Sequence, residues 1–316
     1  MSTRVVRPDA AGLSRAVDLL RRESVVAFPT ETVYGLGAHA FSAAAVAEVY
    51  RLKNRPSWNP LIVHVPTVAA ARSLAAEWPP VADELAARFW PGPLTLVVKR
   101  ALHLGDVGRT AAGTIAIRIP AHGVALRLLE ASGLPLAAPS ANRSEGLSPT
   151  TAQHVIQSLP DVPLVLDGGP CAWGIESTVL DVTSSRPRLL RPGALSLRAL
   201  RDAIGPVGLP SSDVGDGAAR SSPGMSRRHY APRAALVLGR ADRALAGPVG
   251  TLAYEGSDGP NREVLSADPR EYAADLYAAL HRLDDAGVAT IVVQEPPDTE
   301  DWLAIRDRLR RAAATP

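Results

Sequence analysis

Short apolar runs alternate with longer amphipathic segments along most of the chain. Each short run is bounded by turn-forming residues and predicts a strand, whereas apolar residues spaced three and four positions apart predict helices. The predicted strands are residues 25–28, 61–65, 94–98, 114–119, 136–138, 164–166, 178–182 and 188–190. The predicted helices run from the N-cap Asp9 to Arg22, from the N-cap Ser42 to about Leu52, and over residues 67–76, 80–88, 123–132, 150–158 and 196–204. Residues 29–37 are expected to form a turn-rich segment.

Residues 206–233 interrupt this pattern. The segment is rich in Gly, Pro, Ser and Asp and has little periodicity, so it predicts a long linker. A connection of this length is either functional or disordered, and the pattern leaves both readings open. After the linker, strands are predicted at residues 235–238, 250–253, 263–265 and 289–293, with helices at 268–286 and 299–313.

Strands interleaved with helices on both sides of the linker predict an α/β layer architecture. The chain has 316 residues, about twice the usual length of a domain, so two domains are expected. The order of the strands within a sheet does not follow from the pattern.

Composition excludes several classes of protein. Apolar residues make up 46% of the chain and charged residues 21%, which is ordinary for a folded globular protein. No apolar stretch is long enough for a membrane helix, and residues 1–9 lead into no apolar signal-peptide core. Cys171 is the only cysteine, so neither an intrachain disulfide nor a cysteine-based zinc site can form. A cytoplasmic protein is expected. The net charge of +2 gives little indication of a polyanionic partner.

The strongest local signal lies at residues 53–61, where two cations at a predicted helix end precede a proline-bounded loop. Lys53 and Arg55 could both neutralise a triphosphate, one as a point charge and the other as a planar fork. Lysine occurs otherwise only at Lys99, so a lysine inside a motif is notable here. Favourable charge at a helix C-terminus explains the same pair without a ligand.

A second signal lies at residues 138–150, which leave a strand, stay small and polar, and enter a helix near Thr150. Hydroxyl and amide groups beside a helix start suit phosphate or ribose contacts. An ordinary capped loop is the alternative. The sequence contains no P-loop, no dinucleotide-binding glycine motif, no His-Glu-x-x-His and no Gly-x-Ser-x-Gly.

Two further residues stand out on predicted strands. His64 ends an apolar strand, where a structural histidine is the ordinary reading. Arg118 lies between isoleucines on another strand and must find an anion, because a buried unpaired charge costs several kcal/mol. That anion is either an internal carboxylate or a substrate carboxylate.

Taken together, these motifs resemble those of the YrdC-like family in its long, two-domain form. The matching segments are residues 28–37, 53–61, 91–95, 118–120, 139–142, 148–150, 174–178 and 191–193, followed by 222–225 and 229–232 in the linker and the helix around 304–309. The main matches occur in family order over roughly residues 10–205. Many short matches in order are more specific than any one of them.

The resemblance implies a fold and an activity. The expected fold is a YrdC-like twisted mixed sheet with flanking helices in residues 1–205, and a smaller C-terminal Rossmann-like α/β domain in residues 234–316. Residues 206–233 would be a linker that covers the active site as a lid. The expected activity is the formation of threonylcarbamoyl-AMP from L-threonine, bicarbonate and ATP, the first step in threonylcarbamoyladenosine modification of tRNA. Mg²⁺ would travel on the triphosphate, with no metal site built by the protein.

The resemblance also assigns roles to individual residues. L-threonine would be held by Thr32, His64, Arg118 and Ser177, with Arg118 on its carboxylate. ATP would be held by Arg55, Asn59, Thr114, Ala138, Ser140, Ser148, Arg191 and Tyr230. Lys53, Arg55, Ser140 and Asn142 would form the catalytic set.

The expected downstream partner is a complex that transfers the threonylcarbamoyl group to tRNA, and weak direct RNA binding stays open. Two alternatives remain at this point. One is a related enzyme that adenylates carbamate or a different amino acid, and the other is a non-catalytic RNA-binding module. The near-neutral charge and the lack of a basic stripe interleaved with aromatics disfavour the second.

Overall fold

The structure is a computed structural model that describes residues 4–56, 59–104, 113–209, 228–239, 245 and 247–314. Ser57 and Trp58 of the first motif lie outside the described residues, and so do residues 210–227 of the predicted linker, including the matching segment 222–225. The described part of the linker therefore consists of residues 206–209 and 228–233.

A ten-stranded sheet forms the centre of the first unit. Its strands are β1 (Arg4–Val6), β2 (Val26–Phe28), β3 (Gly35–His39), β4 (Ile62–His64), β5 (Leu94–Lys99), β6 (Thr114–Arg118), β7 (Leu136–Ala137), β8 (Leu164–Leu166), β9 (Thr178–Asp181) and β10 (Arg188–Arg191). Their order across the sheet is β1-β8-β2-β3-β7-β4-β6-β5-β9-β10. The sheet is mixed, because β4 and β6 run parallel whereas β5 and β6 run antiparallel.

Helices flank this sheet at the predicted places. They are α1 (Ala10–Arg21), α2 (Ala43–Lys53), α3 (Val68–Ser73), α4 (Pro80–Phe89), α5 (Gly123–Ser132), α6 (Ala152–Ser158) and α7 (Leu197–Ile204), with a short 3₁₀ turn at Leu102–Leu104. Asp9 and Ser42 cap α1 and α2 as expected, each accepting a hydrogen bond from a backbone N–H of the first turn. The left-handed residue Asn54 ends α2 and turns the chain towards the first motif.

Two strands were not predicted. β1 is only three residues long, and it is held by parallel pairing with the buried strand β8. β3 lies partly within the segment predicted to be turn-rich, because its glycines read as turn formers. Gly37 is required there for another reason: a Cβ at this position would lie 2.5 Å from Cε1 of Phe28 on the neighbouring strand. The prediction of a turn across residues 35–37 was therefore wrong.

The second unit contains a four-stranded sheet in which the paired strands run parallel. Its strands are β11 (Ala235–Leu238), β12 (Val249–Ala253), β13 (Arg262–Val264) and β14 (Thr290–Val293), in the order β11-β14-β12-β13. Its helices are α8 (Pro269–Asp285) and α9 (Leu303–Ala313), and a 3₁₀ turn at Glu300–Trp302 precedes α9. The predicted fold class, a large mixed sheet with flanking helices plus a smaller C-terminal α/β unit, is confirmed.

The two units share apolar surface. The core of the second unit includes Val33, Leu147 and Ile175 from the first unit and Tyr230 from the linker. Burial of such side chains contributes about 1.5–3 kcal/mol each relative to exposure, so the contact holds the units together. Within the described ranges, no helix combines the length and apolar character needed to cross a bilayer.

Candidate active site

A small cavity lies where loops of the first unit meet the linker. It has a volume of about 50 Å³. The lining residues are Thr30, Thr32, Val33, Gly35, Arg55, Ile62, His64, Arg118, Ala138, Pro139, Ser140, Glu176, Ser177, Arg191, His229 and Tyr230. The lining therefore combines three arginines with hydroxyl groups from several separate loops.

Strand register brings the central residues together. His64 and Arg118 end the adjacent parallel strands β4 and β6 and are direct partners in the register. Thr178, which follows Ser177, pairs with Leu94 at the start of β5, beside the end of β6. Because these strands are distant in sequence but adjacent in the sheet, the cavity collects residues from most of the first unit.

Arg118 is buried and has an internal acidic partner. Its Nη2 lies 2.8 Å from Oε1 of Glu31, and its Nη1 donates to Oγ1 of Thr32 at 2.9 Å. Its Nε donates to the carbonyl oxygen of Gly92 at 3.2 Å. The internal ion pair considered from the sequence is therefore present, and the same guanidinium also lines the cavity.

His64 is a neutral imidazole in this setting. Burial and the neighbouring positive charge of Arg118 lower the pKa of His64 to about 3. Its Nδ1 lies 3.3 Å from the carbonyl oxygen of Ile62. An imidazole with so low a pKa serves as a hydrogen-bonding group rather than as a proton acceptor near neutral pH.

Lys53 and Arg55 stand at the side where α2 ends. The ammonium of Lys53 donates to the carbonyl oxygens of Ser140, at 2.6 Å, and of Asn142. Arg55 donates to the carbonyl oxygen of Pro60 at 2.9 Å. Burial, together with the charge of Arg55, lowers the pKa of Lys53 well below its usual value. Burial also lowers the pKa of Arg55 to about 10. An anion in the cavity would relieve this crowding of positive charge.

Ser177 is fixed from two sides. Its hydroxyl lies 2.8 Å from the hydroxyl of Thr95 and accepts from Nη2 of Arg191 at 3.1 Å. The same Nη2 donates to the carbonyl oxygen of Ser177 at 2.8 Å. The loop before β9 is thereby tied to the last residue of β10.

Glu176 is a cavity residue to which the sequence analysis gave no role, although it belongs to the segment 174–178. Nε of Arg308 donates to its Oε2 at 2.7 Å, and the hydroxyls of Ser148 and Tyr277 donate to its carboxylate. Burial alone would raise the pKa of Glu176, but Arg308, Arg191 and Ser148 outweigh it and lower the pKa. The carboxylate is thus ionised inside the protein.

His229 and Tyr230 of the linker also line the cavity. Tyr230 is 1% exposed, and the ring of His229 packs against it with centroids 4.0 Å apart. His229 was not assigned a role from the sequence, although it stands beside Tyr230 in the segment 229–232. Only the pairing of that segment with the first unit, seen in the bridge between Gly146 and Ala231, reveals the position of His229.

The structure brings most of the predicted site residues to one place. The predicted residues that line the cavity are Thr32, Arg55, His64, Arg118, Ala138, Ser140, Ser177, Arg191 and Tyr230. Those outside the lining are Lys53, Asn59, Thr114, Asn142 and Ser148. Lys53 and Asn142 lie directly behind Ser140, and Ser148 lies behind Glu176.

Thr114 lies away from the cavity, and Asn142 directs its amide group to its own loop. Thr114 begins β6, whereas Arg118 ends it, about 13 Å away along the strand. The amide of Asn142 donates to the carbonyl oxygens of Arg143 and Gly146, each at 2.8 Å, and thereby closes its own loop. The assigned contact of Thr114 with ATP and the assigned catalytic role of Asn142 stay predictions.

Comparisons with known proteins match both units. Residues 18–193 match the Sua5/YciO/YrdC family model, described as telomere recombination, and residues 195–314 match the model described as threonylcarbamoyl-AMP synthase, C-terminal domain. A threonylcarbamoyl-AMP synthase of Bacillus subtilis is 41% identical over 95% of this chain and 92% of its own length. One of Pyrococcus abyssi is 38% identical over 94% of this chain and 93% of its own length.

A solved structure agrees with this result over nearly the whole chain. The crystal structure of P. abyssi Sua5 complexed with L-threonine is 37% identical, covers 99% of this chain and 97% of its own, and superposes with a TM-score of 0.89. The family model spans more than half of the chain, and the relatives align almost from end to end. The chain therefore belongs to the Sua5/YciO/YrdC family.

Proposed function

We propose that the chain is an L-threonylcarbamoyladenylate synthase, which converts L-threonine, bicarbonate and ATP to threonylcarbamoyl-AMP, diphosphate and water. The observation that carries this proposal is one cavity in which Arg118, His64 and Ser177 lie beside Arg55 and Arg191. One group of side chains suits an amino acid and the other suits a nucleotide polyphosphate. The relatives named threonylcarbamoyl-AMP synthase support the same reaction.

The amino-acid side of the cavity would bind L-threonine. Arg118 offers a planar fork for the carboxylate, and its hydrogen bond to Thr32 fixes the guanidinium plane. Neutral His64 and the hydroxyl of Ser177 are available for the amine and the side-chain hydroxyl. Glu31 would remain as the internal counter-charge of Arg118.

The nucleotide side would bind ATP. Arg55 and Arg191 would neutralise the phosphates, and Ser140 and backbone groups of Ala138 would contact the adenylate. Lys53 would hold the Ser140–Asn142 turn through its two carbonyl bonds and add positive charge from behind. Because Tyr230 and His229 line a cavity of only about 50 Å³, ATP would enter only when residues 228–233 shift outward.

The proposed chemistry needs no covalent enzyme intermediate. The deprotonated amine of threonine attacks bicarbonate, and loss of water gives the carbamate. A carbamate oxygen then attacks the α-phosphate in line, the bond to the β-phosphate oxygen breaks, and diphosphate leaves. Positioning and neutralisation of phosphate charge would supply the rate enhancement. Closure of the cavity by Tyr230 would protect the labile carbamate from water.

We propose that Mg²⁺ arrives with the triphosphate as part of the substrate. Among the described residues, no three His, Cys, Asp or Glu side chains are grouped so as to hold a metal ion. The carboxylate in the lining, Glu176, is already engaged by Arg308 and Ser148. The product would be consumed by a tRNA threonylcarbamoyl-transfer complex in the cytoplasm, where direct RNA binding by this chain would be weak.

Mass spectrometry tests the proposal directly. The full chain is mixed with ATP, Mg²⁺, L-threonine and ¹³C-bicarbonate, and threonylcarbamoyl-AMP carrying the label is expected together with diphosphate. Serine, valine and carbamate in place of threonine separate this reaction from that of a related adenylating enzyme. Labelled product that forms equally well from another amino acid, or no adenylate with any of them, would contradict the proposal.

A further inference from the structure

We propose that Arg308, on helix α9 of the second unit, is a positioning residue for the cavity in the first unit. Through the carboxylate of Glu176, it sets the loop that presents Ser177 and the loop that carries Ser148. This inference rests on the proposed function, because its effect is expected in substrate binding. It gives the C-terminal unit a defined role in the reaction.

The contact between Arg308 and Glu176 is buried. The side chains are 1% and 7% exposed, and Nε lies 2.7 Å from Oε2. Nη1 of Arg308 also meets the carboxylate of Asp307 on its own helix at 2.9 Å. A buried charge without its partner is strongly unfavourable, so each of the two residues fixes the position of the other.

Glu176 joins three further segments around this contact. It accepts from the hydroxyl of Ser148 at 2.5 Å and from that of Tyr277 on α8 at 3.2 Å. Its backbone carbonyl accepts from the N–H of Ala194, three residues after Arg191 in the chain. The residue that follows Glu176 is Ser177, so a shift of the carboxylate moves a cavity-lining hydroxyl.

Arg308 also touches the linker. The carbon at the centre of its guanidinium lies 4.7 Å from the centroid of the Tyr230 ring. The negative face of an aromatic ring attracts a cation, and the attraction is stronger where water is excluded. The same side chain therefore seats the tyrosine that closes the cavity while it holds the carboxylate of Glu176.

Arg308 does not line the cavity itself, which distinguishes it from a substrate ligand. A buried ion pair of this kind adds little stability compared with apolar side chains of similar volume. The ion pair lies behind the loops that carry Ser148 and Ser177, so its role is to position these two loops.

A double-mutant cycle tests the inference with the full chain. The variants are Arg308→Met, Glu176→Gln and their combination, and Arg308→Lys is the conservative variant. Arg310→Gln is the matched control, because Arg310 is an exposed arginine on the same helix. KM for threonine, KM for ATP and kcat are measured by diphosphate release, and thermal unfolding shows that each variant is folded.

Arg308→Met is expected to raise KM for threonine by about tenfold or more while changing kcat less. In the Glu176→Gln background, the same substitution is expected to raise KM for threonine little further, because the ion pair with the carboxylate is already absent. Arg308→Lys should recover part of the loss, and Arg310→Gln should behave as wild type. Independent, multiplicative effects of the two substitutions, or a wild-type KM in folded Arg308→Met, would overturn the inference.

Hydrogen exchange of residues 174–178 separates this inference from the proposed function. Faster exchange is expected there in Arg308→Met and not in Arg310→Gln. If the wild-type chain makes no threonylcarbamoyl-AMP, the proposed function fails. The inference is then tested by measuring the affinity for threonine, instead of KM, for the same set of variants. Unchanged exchange and unchanged threonine affinity would reject it on their own.

Discussion

His154 of α6 and His281 of α8 stack face to face between the two units, with ring centroids 3.8 Å apart and planes inclined by 20°. Nδ1 of His154 accepts from the backbone N–H of Thr150 at 3.3 Å, and Nε2 of His281 lies 3.2 Å from the carbonyl oxygen of Ser148. Because both partners belong to the loop behind Glu176, the pair links the second unit to that loop. Two imidazolium rings could not stack at this distance without strong repulsion.

This pair predicts a loss of stability in mild acid. Burial, and then the charge of His281, lower the pKa of His154 to about 4, and burial also lowers the pKa of His281, although Asp285 opposes both shifts. In the unfolded chain both imidazoles take up a proton near pH 6.5, whereas in the folded chain His154 does so only near pH 4 and the pKa of His281 is also lowered. The free energy of unfolding therefore falls as pH decreases from about 6.5 to about 4. After allowance for the partial exposure of His154, we expect a loss of about 1–2 kcal/mol.

Urea denaturation at pH 7 and at pH 4.5 measures this change. His281→Phe keeps a stacked ring without a titrating nitrogen, so its pH dependence should be smaller than that of the wild type. His103→Gln, at an exposed histidine, should leave the dependence as it is. Identical pH profiles for His281→Phe and the wild type would contradict the prediction.

Arg118→Ala is expected to abolish most threonine binding while ATP binding survives. The carboxylate would lose a charge-assisted partner worth about 1.5–3 kcal/mol, which corresponds to an affinity about 10–150 times weaker. Glu31 would also lose its ion pair, so some loss of stability is expected. Isothermal titration with each ligand separately measures both affinities. The exposed arginine variant Arg127→Ala is the control, and equal weakening of both ligands would exclude a threonine-specific role.

Tyr230→Phe separates packing from hydrogen bonding. The Tyr230 ring is buried, and no described residue accepts from its hydroxyl. Loss of an unpaired buried hydroxyl should leave the melting temperature unchanged or raise it slightly. If the hydroxyl contacts the nucleotide, KM for ATP should rise about tenfold. Steady-state kinetics measures KM for ATP, and thermal unfolding measures the melting temperature. A wild-type KM for ATP would show that the hydroxyl does not contact the nucleotide.

Gly193→Ala should damage the loop before β9. A Cβ at this position would lie 2.4 Å from the carbonyl carbon of Ser177 and 2.5 Å from the carbonyl oxygen of Glu176. These are backbone atoms and cannot rotate away, so we expect a lower melting temperature and weaker threonine binding. Gly123→Ala is the matched control at the first turn of α5, where a Cβ meets nothing within 4 Å. That substitution should stabilise the chain by about 0.5–1 kcal/mol.

The sequence predicted helices and strands well where they depend on interactions between residues close together in the chain. Asp9 and Ser42 cap their helices through bonds to the next few backbone N–H groups, and those bonds depend only on nearby residues. The predicted residues that line the cavity came from the motif resemblance instead. Proteins with the same motifs share the fold, so matching residues are expected at matching places. The expected neighbourhood of Arg118, Arg55 and Ser140 is present.

Features that depend on distant pairing did not follow from the sequence. β3 pairs with β2 and β7, and the Phe28 ring lies where a Cβ of residue 37 would be, which no periodicity shows. Glu176 and Arg308 are 132 residues apart, and the residues next to each of them in the sequence do not indicate the contact. The resemblance assigned Asn142 to the catalytic set and that role stays a prediction, but the bonds from its amide group to the carbonyl oxygens of its own loop did not follow from the sequence.

The separation of Glu176 from Arg308 also has a consequence for protein synthesis. A ribosome adds about 5–20 residues per second, so helix α9 leaves it roughly 7–26 seconds after Glu176. During this interval the nascent first unit can form its strands, but it holds a carboxylate whose counter-ion has not yet been made. The late arrival of Arg308 thus makes helix α9 the step at which the newly made chain acquires the buried counter-ion of Glu176.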